Sequence, residues 1–371
     1  MWLARPTIRD VARAAGVSTA TVSYVINGTA NISPRTKERV FTAIRALGYR
    51  PSGMARGLAA RRTRVFGVIS PPGAELAEPD ALFAGLLKGV AGAAYRGRYA
   101  FVLAGPEGDP GEAVASLRDR GVEGVIILAA GAVDGLYLEA CDREGMPVVF
   151  AGDPALDKPV SYVGGDNAAG AREITAHLIS LGHAVLAHLG GPVDLEASRR
   201  RKKGFQMALL SARDEAGGVA RNGDGEETVE TAGLVEAGDG TEESGFQCMH
   251  RLLALPPGKR PTAVVAFNDA MAIGAIHAVR EKGLSVPDDV AVAGFGDDPV
   301  AAYTEPPLTT VRVPAAVIGA KAAEALFELL EGSSGEGSRE GPGEGPGGPE
   351  RETLLAPRLV IRQSCGSALW I

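Results

Sequence analysis

The sequence is short of aromatic residues. Phe, Trp and Tyr make up 5% of 371 residues, whereas glycine alone contributes 50 and hydrophobic types reach 45%. Its core must rest on small and aliphatic side chains, which suits an α/β protein. Cysteine is also scarce: Cys141, Cys248 and Cys365 are far apart and odd in number. That argues against a disulfide framework and for a reducing, cytoplasmic setting. The five histidines, His177, His183, His188, His250 and His277, lack zinc-ligand spacing. No run of about 18 apolar residues exists to cross a membrane. The opening MWLARPTIRD has neither an apolar signal core nor a cleavage site. Neither a G-x-S-x-G elbow nor a G-x-x-x-x-G-K-[ST] loop occurs, so two common kinds of α/β catalytic machinery are missing. No enzymatic activity, cofactor or metal is expected.

Charge is what the sequence distributes unevenly. The net formal charge is -7, yet residues 1–64 hold twelve Lys and Arg against two Asp and Glu. The first 64 residues therefore carry +10 and the remainder -17. A small basic head on a large acidic body points to a head that meets a polyanion. The head reads as three helices. Thr7 and Asp10 have the spacing of a capping box, followed by Ile8, Val11, Ala12 and Ala15 at helical intervals. Gly16 ends that helix and Ser18 caps the next, whose inward residues are Val22, Val25 and Ile26. Ser33-Pro34 opens a third helix with Val40, Phe41, Ile44 and Leu47 on its apolar side, closed by Gly48. Two helices joined by a tight glycine turn, with a third across them, predict a helix-turn-helix.

From about Val65 the pattern changes. Apolar runs such as VFGVIS, YAFVLAG, GVIILAA, PVVFAGD, AVLAHLGG, AVVAFND and VAVAGFGD alternate with helical segments. This predicts parallel sheets covered on both faces, with a ligand site at the carboxyl ends of the strands. Two stretches read as solvated insertions: 216–245, rich in Gly and Glu, and the low-complexity 332–352.

The head segment TIRDVARAAGVSTATVSYVINGTANISPRTKERVFTAIRALGYRPSGMARGLAARRT resembles the DNA-binding head and hinge of the lactose/galactose repressor family. So do DNAAGAREITAHLISLGH, RRRKKGF, FNDAMAIGAIHAVREKGLSVPDDVAVAGFGDD, PPLTTVRVP and RLVIRQSCG, in order, along the body. The resemblance implies a helix-turn-helix head (1–50), a hinge (51–64) and a two-lobed periplasmic-binding-protein-like sensor (65–371). The N-terminal lobe would hold about 65–163 and 311–352, the C-terminal lobe about 164–310 and 353–371. It further implies a nucleoid-associated homodimer on double-stranded operator DNA, with a small effector, first of all a carbohydrate, between the lobes. A two-fold dimer demands a pseudo-palindromic operator. The sign of control stays open between release by an inducer and dependence on a co-repressor. The rival reading is a solute-binding sensor without a DNA role, against which the basic head counts.

Thr19, Ala20 and Tyr24 match family positions that touch base edges. Thr can bond a base or meet a thymine methyl, whereas Ala makes only apolar contact. Tyr24 replaces a common Arg, so a bidentate guanine contact is absent there. Thr21 and Ser23 suit phosphate contacts, which position without specifying. In the hinge, Gly53 and Gly57 weaken an isolated helix; the resemblance implies that Ala55 would permit close approach of paired hinges and that Arg56 would neutralise phosphate. Leu58 matches the family's minor-groove wedge. In the body, the matching pocket positions are Phe83, Asp166, Arg201 and Asn268. Gly296 stands where family members often carry an effector-binding Asp, and the next acid, Asp297, is open between a substitute for it and a structural residue.

Overall fold

The computed structural model describes residues 6–27, 30–49, 63–70, 81–105, 108–129, 131–215, 233–332 and 351–367. The expectations for Ala55, Arg56 and Leu58, and most of both insertions, lie outside the described residues. The chain divides into two compact units, Met1–Arg64 and Val65–Ile371.

In the first unit, α1 (Ile8–Ala15), α2 (Thr19–Asn27) and α3 (Pro34–Leu47) enclose Val11, Ala12, Ala15, Val22, Val25, Val40 and Ala43. Each helix start is satisfied locally. The Thr7 hydroxyl accepts from the Asp10 amide while the Asp10 carboxylate accepts from the Thr7 amide at 2.9 Å. Ser18 and Ser33 accept from the amides of Thr21 and Thr36 at 3.1 and 3.3 Å. Gly16 closes α1 at φ 61°, where a side chain is strained. The turn is also held from α3: the Arg39 guanidinium donates to the Ala15 carbonyl and, at 3.1 Å, to that of Gly16. One expectation is corrected here. Phe41 is 45% exposed, and Ala43 takes its place in the core. A helix turns about 100° per residue, so Val40 and Ala43 share a face from which Phe41 points away.

The second unit contains two parallel sheets. The first is built from β1 (Val65–Ile69), β2 (Ala100–Ala104), β3 (Val125–Leu128), β4 (Val148–Ala151), β5 (Tyr162–Gly165) and β11 (Glu352–Leu355), in the order β11-β5-β4-β3-β1-β2. Helices α4 (Ala81–Gly97) and α11 (Ala315–Gly332) bury one face around Phe66, Val90, Leu326 and Phe327. Helices α5 (Pro110–Asp119) and α6 (Asp134–Glu144) cover the other with Leu117, Tyr137 and Phe150. The second sheet has the order β7-β6-β8-β9, from β6 (Leu186–Gly190), β7 (Leu234–Ala237), β8 (Ala263–Ala266) and β9 (Ala291–Ala293). Helices α7 (Asn167–Ser180) and α8 (Glu196–Glu215) lie on one face, α9 (Glu242–Leu253) and α10 (Asp269–Glu281) on the other. The contact between α7 and α8 is close because Gly204 has no side chain. A Cβ there would come within 2.1 Å of the Ala168 carbonyl.

A short antiparallel pair, β10 (Thr310–Arg312) with β12 (Arg358–Val360), joins the second sheet through a bridge between Thr309 and Ala293. The chain thus passes between lobes after Gly165, after Arg312 and after Leu355. The expected last crossing at 352 is corrected: Glu352–Leu355 pairs with Tyr162–Gly165 in the first sheet. In both sheets the strand order reverses direction at one point, β1/β3 and β6/β8, and ligands of such sheets sit beyond the strands' carboxyl ends.

Candidate DNA interface and effector cleft

In the head, α2 buries Val22 and Val25 and turns Thr19, Ala20 and Tyr24 outward; Tyr24 is 47% exposed. No acidic residue lies in α2. Thr21 and Ser23 are half-buried, and the Thr21 hydroxyl lies 2.9 Å from that of Ser18, inside the helix cap. The outward surface of α2 therefore offers a methyl, a hydroxyl and a phenol, the groups that can meet base edges without an ionic partner.

In the body, polar residues gather just beyond the strand ends. Arg201 on α8 is the centre of this group, although only 7% of it is exposed. Its guanidinium lies 3.9 Å from the Phe295 ring centroid and 4.6 Å from that of Phe267. Nη1 donates to the Phe267 carbonyl at 2.5 Å and Nε to Asn167 Oδ1 at 2.8 Å. Burial pulls the Arg201 pKa down to about 10, against the opposing fields of Asp153 and Asp269. Asn167 Nδ2 donates in turn to Asp153 Oδ2 at 2.7 Å. Burial pushes the Asp153 carboxyl up, opposed by the Asn167 hydrogen bond and by Arg200 and Arg201. Asp153 Oδ1 is buried without a hydrogen-bond partner. Neighbouring Arg200 donates to the Tyr162 hydroxyl at 3.2 Å and lies 3.9 Å from Glu352, so α8 reaches both β5 and β11 of the first lobe.

The remaining expected positions behave differently. Asp166 caps α7, accepting from the Ala169 amide at 2.9 Å. Asn268 caps α10: Oδ1 accepts from the Met271 amide at 2.9 Å and Nδ2 donates to the Gly240 carbonyl at 2.8 Å. Each Asn268 group keeps capacity for one further bond. Phe83 is half-buried against the first-lobe core. Of the two roles open to Asp297, its contacts are those of a structural clamp. Its Oδ2 accepts from Arg312 Nε at 2.5 Å and its Oδ1 from Arg362 Nη2 at 2.6 Å, with 6% of the side chain exposed. Both oxygens thus face cations from the crossing strands. Gly296 beside it has φ 139°, and a cavity of about 340 Å³ opens there between Leu82, Arg312 and Ala315. Sequence reasoning passed over Asp153, Asn167, Phe267 and Phe295. Asn167 and Phe295 stand inside segments already notable, DNAAG and GFGD.

Known proteins resemble the chain in sequence and fold. Residues 7–52 match the model for bacterial regulatory proteins of the lacI family, and residues 175–365 match a periplasmic binding protein-like domain. The HTH-type transcriptional regulator CelR of Thermobifida fusca is 37% identical over 364 residues, covering 97% of this chain and 98% of that protein. The chain belongs to the lacI family. Among solved structures, a transcriptional regulator CelR–cellobiose complex is 35% identical, with TM-score 0.67 over 97% of this chain and 100% of the other. The lac repressor dimer bound to operator and the anti-inducer ONPF is 28% identical, with TM-score 0.76 over 97% and 99%. The protein is a DNA-binding transcriptional regulator of this family, and its relatives are regulators rather than enzymes. Among the described residues, no helix is long and apolar enough to cross a membrane.

Proposed function

We propose that the protein is a repressor that binds a pseudo-palindromic operator as a homodimer and is released by a neutral saccharide held between its lobes. The head would be 1–50, the hinge 51–64 and the sensor 65–371. In this reading α2 enters the major groove with Thr19, Ala20 and Tyr24 at base edges, and Thr21 and Ser23 near phosphates. The hinge adds Ala55, Arg56 and the wedge Leu58 at the operator centre.

The observation that carries the effector assignment is Arg201, a buried cation stacked on two rings beside the acid Asp153. Paired charges of opposite sign favour a ligand that both accepts and donates hydrogen bonds without net charge. Hydroxyl groups do both. The CelR–cellobiose complex makes cellobiose the first saccharide to try. Binding would change the relation of the lobes and so the operator affinity, with a coupling of about 1–3 kcal/mol that must be reciprocal.

The experiment is selection of bound sequences from a random double-stranded DNA pool, with wild type and Leu58→Ala, with and without cellobiose. The expected result is a pseudo-palindrome whose central step Leu58→Ala no longer distinguishes, depleted by cellobiose. Enrichment that appears only with cellobiose reverses the sign to co-repression. No enriched sequence under either condition removes the operator reading.

A further inference from the structure

The Arg201 side chain is fixed more completely than burial alone requires. A guanidinium has five N–H donors in one plane. Its Cζ lies over the Phe267 and Phe295 rings, and two donors are committed in plane, Nε to Asn167 and Nη1 to the Phe267 carbonyl. Plane and rotation are both set, which leaves three N–H groups for a ligand. The hold at Nε depends on which end of the Asn167 amide faces it. With the NH2 end turned to Arg201, two donors would oppose each other. Asp153 makes the choice, because its Oδ2 accepts from Asn167 Nδ2 and so turns Oδ1 toward the arginine. Asp153 follows β4 in the first lobe, Asn167 opens α7 at the crossing, and Arg201 lies on α8 of the second lobe.

We propose that Asn167, oriented by Asp153, is the positioning residue of Arg201, and that this chain ties the direction of the arginine to the first lobe. The claim about geometry stands on these contacts; its consequence for affinity rests on the effector reading above. Asp153 never touches the arginine's committed donors. Its removal frees Asn167 and also withdraws a charge from Arg200 and Arg201, whereas its replacement by Asn withdraws the charge but keeps an oxygen able to accept from Asn167, which separates the two effects.

The test uses the full-length protein with 15N-labelled arginine, the Arg201 Nε–Hε resonance being identified by its loss in Arg201→Lys. In wild type this buried, hydrogen-bonded proton is expected to exchange slowly with water. Asn167→Ala is expected to speed exchange about tenfold, equivalent to about 1.4 kcal/mol. Asp153→Ala does the same, and Asp153→Asn returns the rate to within about twofold of wild type. Asp153→Ser, too short to reach Asn167, substitutes if Asp153→Ala does not fold. Unchanged exchange in Asp153→Ala or Asp153→Ser, or fast exchange in Asp153→Asn, overturns the positioning role. Cellobiose titration of the same variants reads the consequence. Asp153→Ala and Asn167→Ala are each expected to weaken binding about tenfold. Equal affinities throughout would break the link to binding. If wild type does not bind cellobiose, the saccharide reading fails while the exchange result still decides the positioning.

Discussion

Removing the Asp297 carboxylate separates a structural clamp from a ligand contact. Asp297 joins three segments: its own loop after β9, Arg312 at the end of β10, and Arg362 beyond β12. The side chains of Asp297 and Arg362 are 6% and 18% exposed, while that of Arg312 is 51% exposed. Leaving one partner of a buried pair costs about 3–5 kcal/mol, and a half-exposed pair adds about 0–1 kcal/mol. Arg362 keeps its bond to the Leu308 carbonyl at 2.7 Å, which places Asp297→Ala near the low end, at about 3 kcal/mol. At about 2 °C per kcal/mol, the body transition in a calorimetric scan of the full chain should fall by about 6 °C. Asp297 also sits at φ 59°, so Asp297→Gly relieves backbone strain and should lose about 1 kcal/mol less than Asp297→Ala. Cellobiose affinity at a temperature well below melting should stay within about twofold of wild type. A variant that melts like wild type but no longer binds the saccharide would refute the clamp and restore Asp297 as a ligand group.

Burial pulls the His188 pKa down to about 4, with Nδ1 bonded to the Val265 carbonyl and Nε2 buried without a partner. The unfolded chain therefore binds this proton first, and the stability it confers is full above about pH 6.5 and lost as pH falls toward about 4. His188→Leu should flatten the acid limb of a stability–pH curve by about 3 kcal/mol over that window; identical slopes would contradict the assignment. Arg39→Met removes the hold on the α1–α2 turn and should lower head stability by about 1–2 kcal/mol, read from helical circular dichroism. An unshifted head transition would mean that Gly16 and the caps suffice. Tyr24→Ala should leave melting unchanged and weaken the selected operator about fivefold, or about 1 kcal/mol, with nonspecific DNA unaffected. Equal losses on both DNAs would make Tyr24 a phosphate contact instead.

What could be read from the chain was local. The caps at Thr7, Ser18 and Ser33 and the closing glycines at 16 and 48 depend on neighbours within four residues. The long apolar runs name most strands for the same reason. The β10–β12 pair was missed because each strand has three residues and its partner lies far along the chain. The cleft shows the same division at the scale of single residues. Asp166 and Asn268 stand at strand ends, where an acid or amide can hold a hydroxyl, and each commits an oxygen to capping the helix that follows, Asn268 also donating to the Gly240 carbonyl. The first residue inside each helix makes its side-chain contacts across the fold. Asn167 takes Arg201 and Asp153, and Asp269 takes the Thr310 hydroxyl at 2.5 Å and the Asp298 amide at 2.7 Å. A cap side chain must bend back toward its own helix, whereas the next residue is free of that duty. In a DN or ND pair at a strand end the first residue thus caps the helix and the second makes its contacts across the fold, by helix position rather than residue type. Reading the second residue of each pair as the tertiary contact would have placed Asn167 in the site from the sequence.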